Sequence, residues 1–242
     1  MKILVAISKV PDTTTKITLK DDKINEDGVQ WIINPYDEWY ALVKAVEIKE
    51  KDASVKVTVL SVGDNSVDAI LRKALAYGAD DAVRIDAVAK DSFSVASQIA
   101  AYAKKEGYDL LLFGKESMDY AQGAVGGIVA GLMNLPYAAL ATSMDVNGNQ
   151  IKVQKEIASG TQTEEITLPA VVSCTKGMAT QRIPNMRGIM AARTKPLTVV
   201  AATETEPLTE VTGYELPEPK GDVKIFDTVE ELVQTLKEKK LI

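Results

Sequence analysis

Leu110-Leu-Leu-Phe-Gly-Lys-Glu-Ser-Met-Asp-Tyr-Ala-Gln-Gly-Ala-Val-Gly-Gly-Ile-Val-Ala-Gly-Leu132 is the stretch from which the rest of the chain is read. Its first five residues form a short apolar run of the kind that a buried parallel strand needs. Its last part is small and apolar, which suits a helix. Between them lies a polar turn with glycine on either side. A loop from a strand end to a helix start presents unpaired backbone N–H groups and the positive end of the helix. A phosphate is the natural guest there. The stretch carries five of the fifteen glycines. It lacks the Gly-Lys-Ser/Thr of a P-loop and the Gly-x-Gly-x-x-Gly of a dinucleotide fingerprint. A glycine-lined helix packed closely on a sheet is the plainer alternative.

Upstream, strand and helix patterns alternate. Lys2–Ser8 is a buried strand. Val10-Pro-Asp-Thr-Thr-Thr15 is a turn, and Lys16–Leu19 and Val29–Ile33 flank a polar excursion read as a hairpin. Asn34-Pro-Tyr-Asp37 is a second turn, with Asp37 as helix cap and Glu38 in the first helical turn. Trp39, Leu42, Val43 and Val46 recur at helical spacing. Val55–Ser61 is a strand, Val67 to Leu75 a helix stopped at Gly78, and Ala82–Ile85 a strand. Ser92–Lys105 is a helix ended by Gly107, and Asp109–Phe113 is the next strand. This order predicts a doubly wound, mostly parallel α/β sheet with helices on both faces, whose ligands sit beyond the carboxyl ends of the strands. The turns at Ser8–Lys9, Asn34–Asp37, Val62–Asn65 and Gly114–Gln122 then share one rim.

After Pro136 the pattern changes. Ala138–Val146, Ile151–Ile157 and Glu165–Cys174 read as strands of an antiparallel extension, with a hairpin turn at Asn147–Asn149. Gln181–Lys195 reads as a loop with two methionines and three arginines. Thr203–Asp222 holds three of the nine prolines and many acids, which suits an extended arm. Asp227 caps a final helix with Val229, Leu232, Val233 and Leu236 on one face. The expected division is an α/β domain over 1–202 and an arm with a docking helix over 203–242.

Composition narrows the function. The 242 residues carry a net charge of −6, which disfavours a general nucleic-acid binder. Apolar runs are far shorter than the roughly 20 residues of a membrane span. The strand-like start is too short and wrongly flanked for a signal peptide, and one cysteine cannot form an internal disulfide. The expected compartment is therefore the cytoplasm. There is no histidine, which removes Ser–His and Cys–His nucleophiles and most zinc sites. By composition alone, Asp119 either binds a ribose or caps a helix. Glu156 is an exposed strand residue, and Cys174 is a small buried one. Met186, Ile189 and Met190 are either core or an adaptable partner surface.

Several short motifs, in one order and spacing over nearly the whole length, resemble the beta (small) subunit family of electron transfer flavoproteins. They are Lys2–Ala6 with Asp12, Gly28-Val29, Asn34-Pro-Tyr36, Ala74–Asp80, Asp109–Lys115 with Asp119, Leu168–Val172 and Gly188–Arg193. The resemblance implies a fold related to the adenine-nucleotide-binding hydrolases, without hydrolysis. It implies an alpha subunit as partner that holds most of the redox FAD. It also implies AMP in this subunit, or a second FAD in electron-bifurcating members. Electrons would pass from acyl-CoA dehydrogenases of fatty acid β-oxidation and similar flavoenzymes to a quinone reductase or another acceptor.

Carried over by position, the AMP site comprises Ala6, Asn34, Pro35, Tyr36, Asp37, Val62 and the loop from Gly114 and Lys115 through Asp119 to Gln122, Gly123, Ala124 and Val125. The phosphate meets the N–H groups near Gln122–Val125. A recognition loop at about 181–195 has Met186 in place of the family's anchor leucine. Glu156 falls on the glutamate associated with the mobile flavin domain of the partner subunit. Members with a second FAD show Asp-Gly-Asp-Thr and Gln-Val-Gly-Pro where this chain has Asp119-Tyr-Ala-Gln-Gly-Ala-Val-Gly-Gly127, which favours AMP. The lysine cluster that follows the anchor in some members is here Ala191-Ala-Arg-Thr-Lys195. A stand-alone adenine-nucleotide-binding regulatory domain and an ATP-using enzyme of the related hydrolase fold are the alternatives. The arm disfavours the first. The missing histidine and Ser-Gly-Gly-x-Asp-type loop disfavour the second.

Overall fold

A computed structural model describes residues 1–242. The chain divides into two units, Met1–Lys16 with Glu26–Thr212, and Ile17–Asn25 with Gly213–Ile242.

The first unit begins with β1 (Lys2–Ala6) and β2 (Lys9–Pro11). In the second unit, β3 (Leu19–Lys20) and β4 (Lys23–Ile24) form a hairpin over Asp21-Asp22, whose φ values are 51° and 58°. Two positive φ values in a two-residue loop match the twist of paired strands. Back in the first unit, β5 (Trp31–Ile33) pairs antiparallel with β2. The predicted excursion is thus two small ribbons rather than one hairpin. There follow α1 (Glu38–Lys51), β6 (Lys56–Val62), a 3-10 turn at Asn65–Val67, α2 (Asp68–Ala76), β7 (Asp81–Asp86), α3 (Ser92–Glu106), β8 (Leu110–Gly114) and α4 (Val125–Met133). The predicted alternation is present element by element.

The C-terminal half corrects the sequence reading in five places. β9 (Tyr137–Asn147), β10 (Gln150–Ile157) and β11 (Gly160–Thr167) precede β12 (Ala170–Cys174). Glu165–Cys174 is therefore two strands, parted at Leu168-Pro169, a cis bond. β12 lies parallel to β8 and to β9, so the antiparallel pairings are confined to β9–β10 and β10–β11, and β10 alone runs against the rest of the sheet. The stretch read as a loop contains α5 (Met186–Ala192), capped by the Asn185 side chain on Gly188 N at 2.8 Å. β13 (Leu197–Ala201), unforeseen, adds a parallel edge beside β7. In the second unit, Thr228 rather than Asp227 caps α6 (Val229–Glu238), in which no residue is buried.

The sheet order is β11-β10-β9-β12-β8-β1-β6-β7-β13. Alternate side chains of the central strands feed two cores. Ile3, Val5, Leu110 and Leu112 join the core that holds Leu42, Val46, Leu71 and Leu75 of α1 and α2. Leu4, Leu111 and Phe113 join the core that holds Ala96, Ile99, Val129 and Ala130 of α3 and α4. From β1 the chain steps through β6 to β7 on one side, then returns through β8 to β12 on the other. Strand order thus reverses between β1 and β8, the place where doubly wound sheets open a crevice for ligands.

Candidate nucleotide site

Three parallel strands end at the reversal: β1 at Ala6, β6 at Val62 and β8 at Gly114. The start of α1 closes in on them. A Cβ on Gly114 would lie 2.7 Å from Glu38 N and 2.6 Å from Glu38 Cγ, so only glycine admits this approach. Asn34 is fully buried. Its Nδ2 donates to Glu116 O at 2.6 Å, and its Oδ1 accepts from Tyr36 N at 3.2 Å. The Asn34–Asp37 turn is thereby tied to the Gly114 loop. Between them lies a cavity of about 300 Å³, lined by Asn34, Tyr36, Asp37, Lys115, Glu116, Ser117, Met118 and Ala121. This is at the lower end of the range typical of small-ligand sites, roughly 300–1,000 Å³.

The loop then leads to α4. The cap residue Ala124 has no side-chain acceptor, so the first N–H groups of the helix have no partner from the cap. Gln122 accepts a hydrogen bond from Ser92 Oγ, which joins the loop to the start of α3. The Asp119 carboxylate accepts from Tyr120 N at 3.0 Å and does not cap α4. Asp37 does not cap α1 through its side chain. It is buried, and its Oδ1 accepts from Thr175 Oγ1 at 3.1 Å. A side chain held sideways by Thr175 has left the capping geometry.

The charges around the cavity are mostly acidic. Burial raises the Asp37 carboxyl above its ordinary range, against the opposing pull of Thr175 and Lys115. Lys115 pairs with Glu116 at 2.9 Å, which raises its pKa. Glu38, 8% exposed, accepts from Ser8 N at 2.7 Å and from Ser8 Oγ at 2.7 and 2.9 Å. Burial pushes its carboxyl up to about 7, Asp119 and Asp37 add to the rise, and the Ser8 bonds oppose it. Glu38 was missed as a site residue, and Ser8 was placed on the rim only as part of a turn. The available signal was spacing: Glu38 precedes Leu42 by four and Ala45 by seven, on the buried stripe of α1.

Of the predicted site residues, the cavity gathers Asn34, Tyr36, Asp37 and Lys115. Ala6, Val62 and Gly114 end the neighbouring strands, and Gln122–Val125 lead into α4. Pro35 instead lines a larger apolar groove of about 650 Å³, with Trp39, Tyr77 and Ile189. That groove does not lie at the strand ends, so the smaller cavity is the better nucleotide candidate. Met186, Ile189 and Met190 are exposed on α5, and Glu156 is exposed on β10. Cys174 is buried, which pushes its thiol up to about 12 and leaves it unreactive. No group of three His, Cys, Asp or Glu is placed to hold a metal, and no helix is long and apolar enough to cross a membrane.

The electron transfer flavoprotein domain matches residues 22–205. Relatives named electron transfer flavoprotein subunit beta align over most of the chain. The protein of Syntrophomonas wolfei is 36% identical over 95% of this chain and 92% of its own. That of Bacillus subtilis is 34% identical over 81% and 77%, and that of Mus musculus 33% over 98% and 97%. With the doubly wound sheet and its opening at the β1–β8 reversal, these matches place the chain in the electron transfer flavoprotein family, among the beta subunits.

Proposed function

We propose that this chain holds one AMP in the cleft at the β1–β8 reversal and pairs with an alpha subunit that carries most of the redox FAD. The observation that carries the reading is the loop from Gly114 to Val125. It starts at a strand end, borders the cavity, and delivers uncapped N–H groups at the start of α4. Those groups suit a phosphate. The Asn34–Asp37 turn and Tyr36, 58% exposed, offer a polar edge and an aromatic face to a base. The nucleotide orders loops and does no chemistry, and it stabilises the fold in proportion to its occupancy. The flavin supplies the electron chemistry when bound. The loop lacks the Asp-Gly-Asp-Thr and Gln-Val-Gly-Pro of second-FAD members, which favours a plain carrier.

Electrons pass in this reading from acyl-CoA dehydrogenases or similar flavoenzymes to a quinone reductase or another acceptor. Met186, 71% exposed, and Met190, 64% exposed, form an apolar docking surface on α5. Glu156 is the contact for the mobile flavin domain. Purifying the chain with its partner and releasing the bound nucleotides tests the reading. One FAD and one AMP per heterodimer are expected; two FAD overturn the carrier assignment, and ATP without flavin overturns the whole. Met186→Glu is expected to leave stability within about 0.5 kcal/mol, because the side chain is already in water. It should slow reduction by the dehydrogenase at least tenfold. An unchanged rate removes α5 from the docking surface.

A further inference from the structure

We propose that Glu38 is a positioning residue of the nucleotide cleft, and that it takes up a proton from solvent when a nucleotide phosphate binds. The inference rests on the AMP reading above. Three elements meet at this side chain. Its carboxyl oxygens accept from Ser8 N and Ser8 Oγ, just past the end of β1. Its own N and Cγ press on Gly114 at the end of β8. Its backbone starts α1. The residue thereby latches the rims on both sides of the strand-order reversal.

The latch has no cation of its own. The charged groups that act on it are Asp119 of the loop and Asp37 of the preceding turn. Just past the end of β12, Thr175 engages Asp37. Beyond β8, Lys115 is already paired with Glu116. A phosphate brings further negative charge to a rim that holds Asp37, Glu38, Glu116 and Asp119, while its two lysines are engaged elsewhere, Lys115 with Glu116 and Lys9 with Ser66 and Glu26. Neutralising the most buried of these carboxylates relieves that repulsion.

The hydrogen bonds permit the change. A carboxylate on Glu38 accepts from the Ser8 hydroxyl. A proton on Oε1 reverses that bond, since a hydroxyl both donates and accepts, while Oε2 goes on accepting from Ser8 N. The latch keeps its geometry in both states. Glu38→Gln reproduces the protonated form, with its amide donating to Ser8 Oγ and its carbonyl accepting from Ser8 N.

Calorimetric titration of AMP into the nucleotide-depleted full chain, at pH 7.5 in buffers of different ionisation enthalpy, reads the proton directly. Uptake of about half a proton per AMP is expected, with affinity falling about threefold per pH unit near that pH. Adenosine, without the phosphate, should draw much less. Glu38→Gln should bind AMP without the uptake and with a flat pH profile. AMP binding without proton uptake, or the same uptake in Glu38→Gln, overturns the inference and spares the AMP reading. Failure of AMP to bind in any buffer overturns both. Should Glu38→Gln not fold, Ser8→Ala serves: loss of its hydroxyl moves the uptake curve to higher pH, and an unmoved curve overturns the inference.

Discussion

Glu38 shows how one side chain can be chemically costly and structurally useful. In the unfolded chain its carboxyl titrates near 4.3; in the fold it is pushed up to about 7. The folded state therefore binds more protons between those values, and stability falls as pH rises through that window. The cost reaches on the order of 3 kcal/mol above pH 7. Glu38→Gln carries no such penalty, so its stability relative to wild type should rise from pH 5 to pH 8. Urea unfolding at both pH values measures this, and parallel profiles would refute it. Gly114 sets the other side of the contact. Gly114→Ala puts a methyl within 3 Å of Glu38 N, a backbone atom that cannot swing away. It should cost about 1–3 kcal/mol by overpacking. The burial of Glu38 was legible from its place on the α1 stripe. Its partner was not, because Ser8 is thirty residues earlier and only the closed sheet brings them together.

Among the elements, α5 was hidden and α1 to α4 were plain, for physical reasons. α1 and α2 bury apolar stripes, so their periodicity survives in the sequence, and α4 is marked by its run of small apolar residues. α5 has seven residues, and of these only Ala192 is buried. Its position is set by polar clamps that no period announces. Arg72 donates to Ala192 O at 2.9 Å and to Lys195 O at 2.5 Å. Lys195 donates back to Ala79 O and Leu75 O, at 2.5 and 3.1 Å. Arg182 pairs with Glu50 at 2.9 Å. Of the basic residues that flank the methionines, Arg182 and Lys195 thus serve as fasteners for this segment. Gly188 completes the seat: a Cβ there would strike Ala76 O of α2. Gly188→Ala should lift α5 and raise amide exchange across residues 186–192 far more than it lowers global stability; equal protection in both proteins would show that α5 is not seated by this contact. The same logic governs Thr203–Thr209. Asp91 caps α3 through Ser94 N and accepts from Leu208 N and Thr209 N at 2.7 and 2.9 Å. Burial opposes the charge, but these bonds prevail and hold the carboxyl at about 2. Asp91→Ala should cost about 1 kcal/mol or more through the lost cap, and free the segment to proteases.

For the whole molecule, the main division lies between what folds by its own burial and what does not. The sheet with its two cores accounts for nearly all of the buried apolar side chains. In the second unit, by contrast, Val229 is 70% exposed, Val223 82% and Ile225 86%, and α6 buries nothing. A helix whose apolar positions 229, 232, 233 and 236 share one face, with Val229 and Leu232 exposed and Val233 and Leu236 only half-buried, contributes little to the stability of the chain that carries it. The proline-rich, acidic composition reads as an extended arm, and no helix or strand lies between β13 and α6. Truncation after Thr212 should therefore leave cooperative unfolding of the first unit, with a Tm within a few degrees of the full chain. It should also abolish or weaken association with the alpha subunit in sedimentation experiments, because an exposed apolar helix face of this kind marks an interaction site. A large loss of Tm on truncation would show that the arm stabilises the sheet itself, and undiminished association would place the partner contact on the sheet.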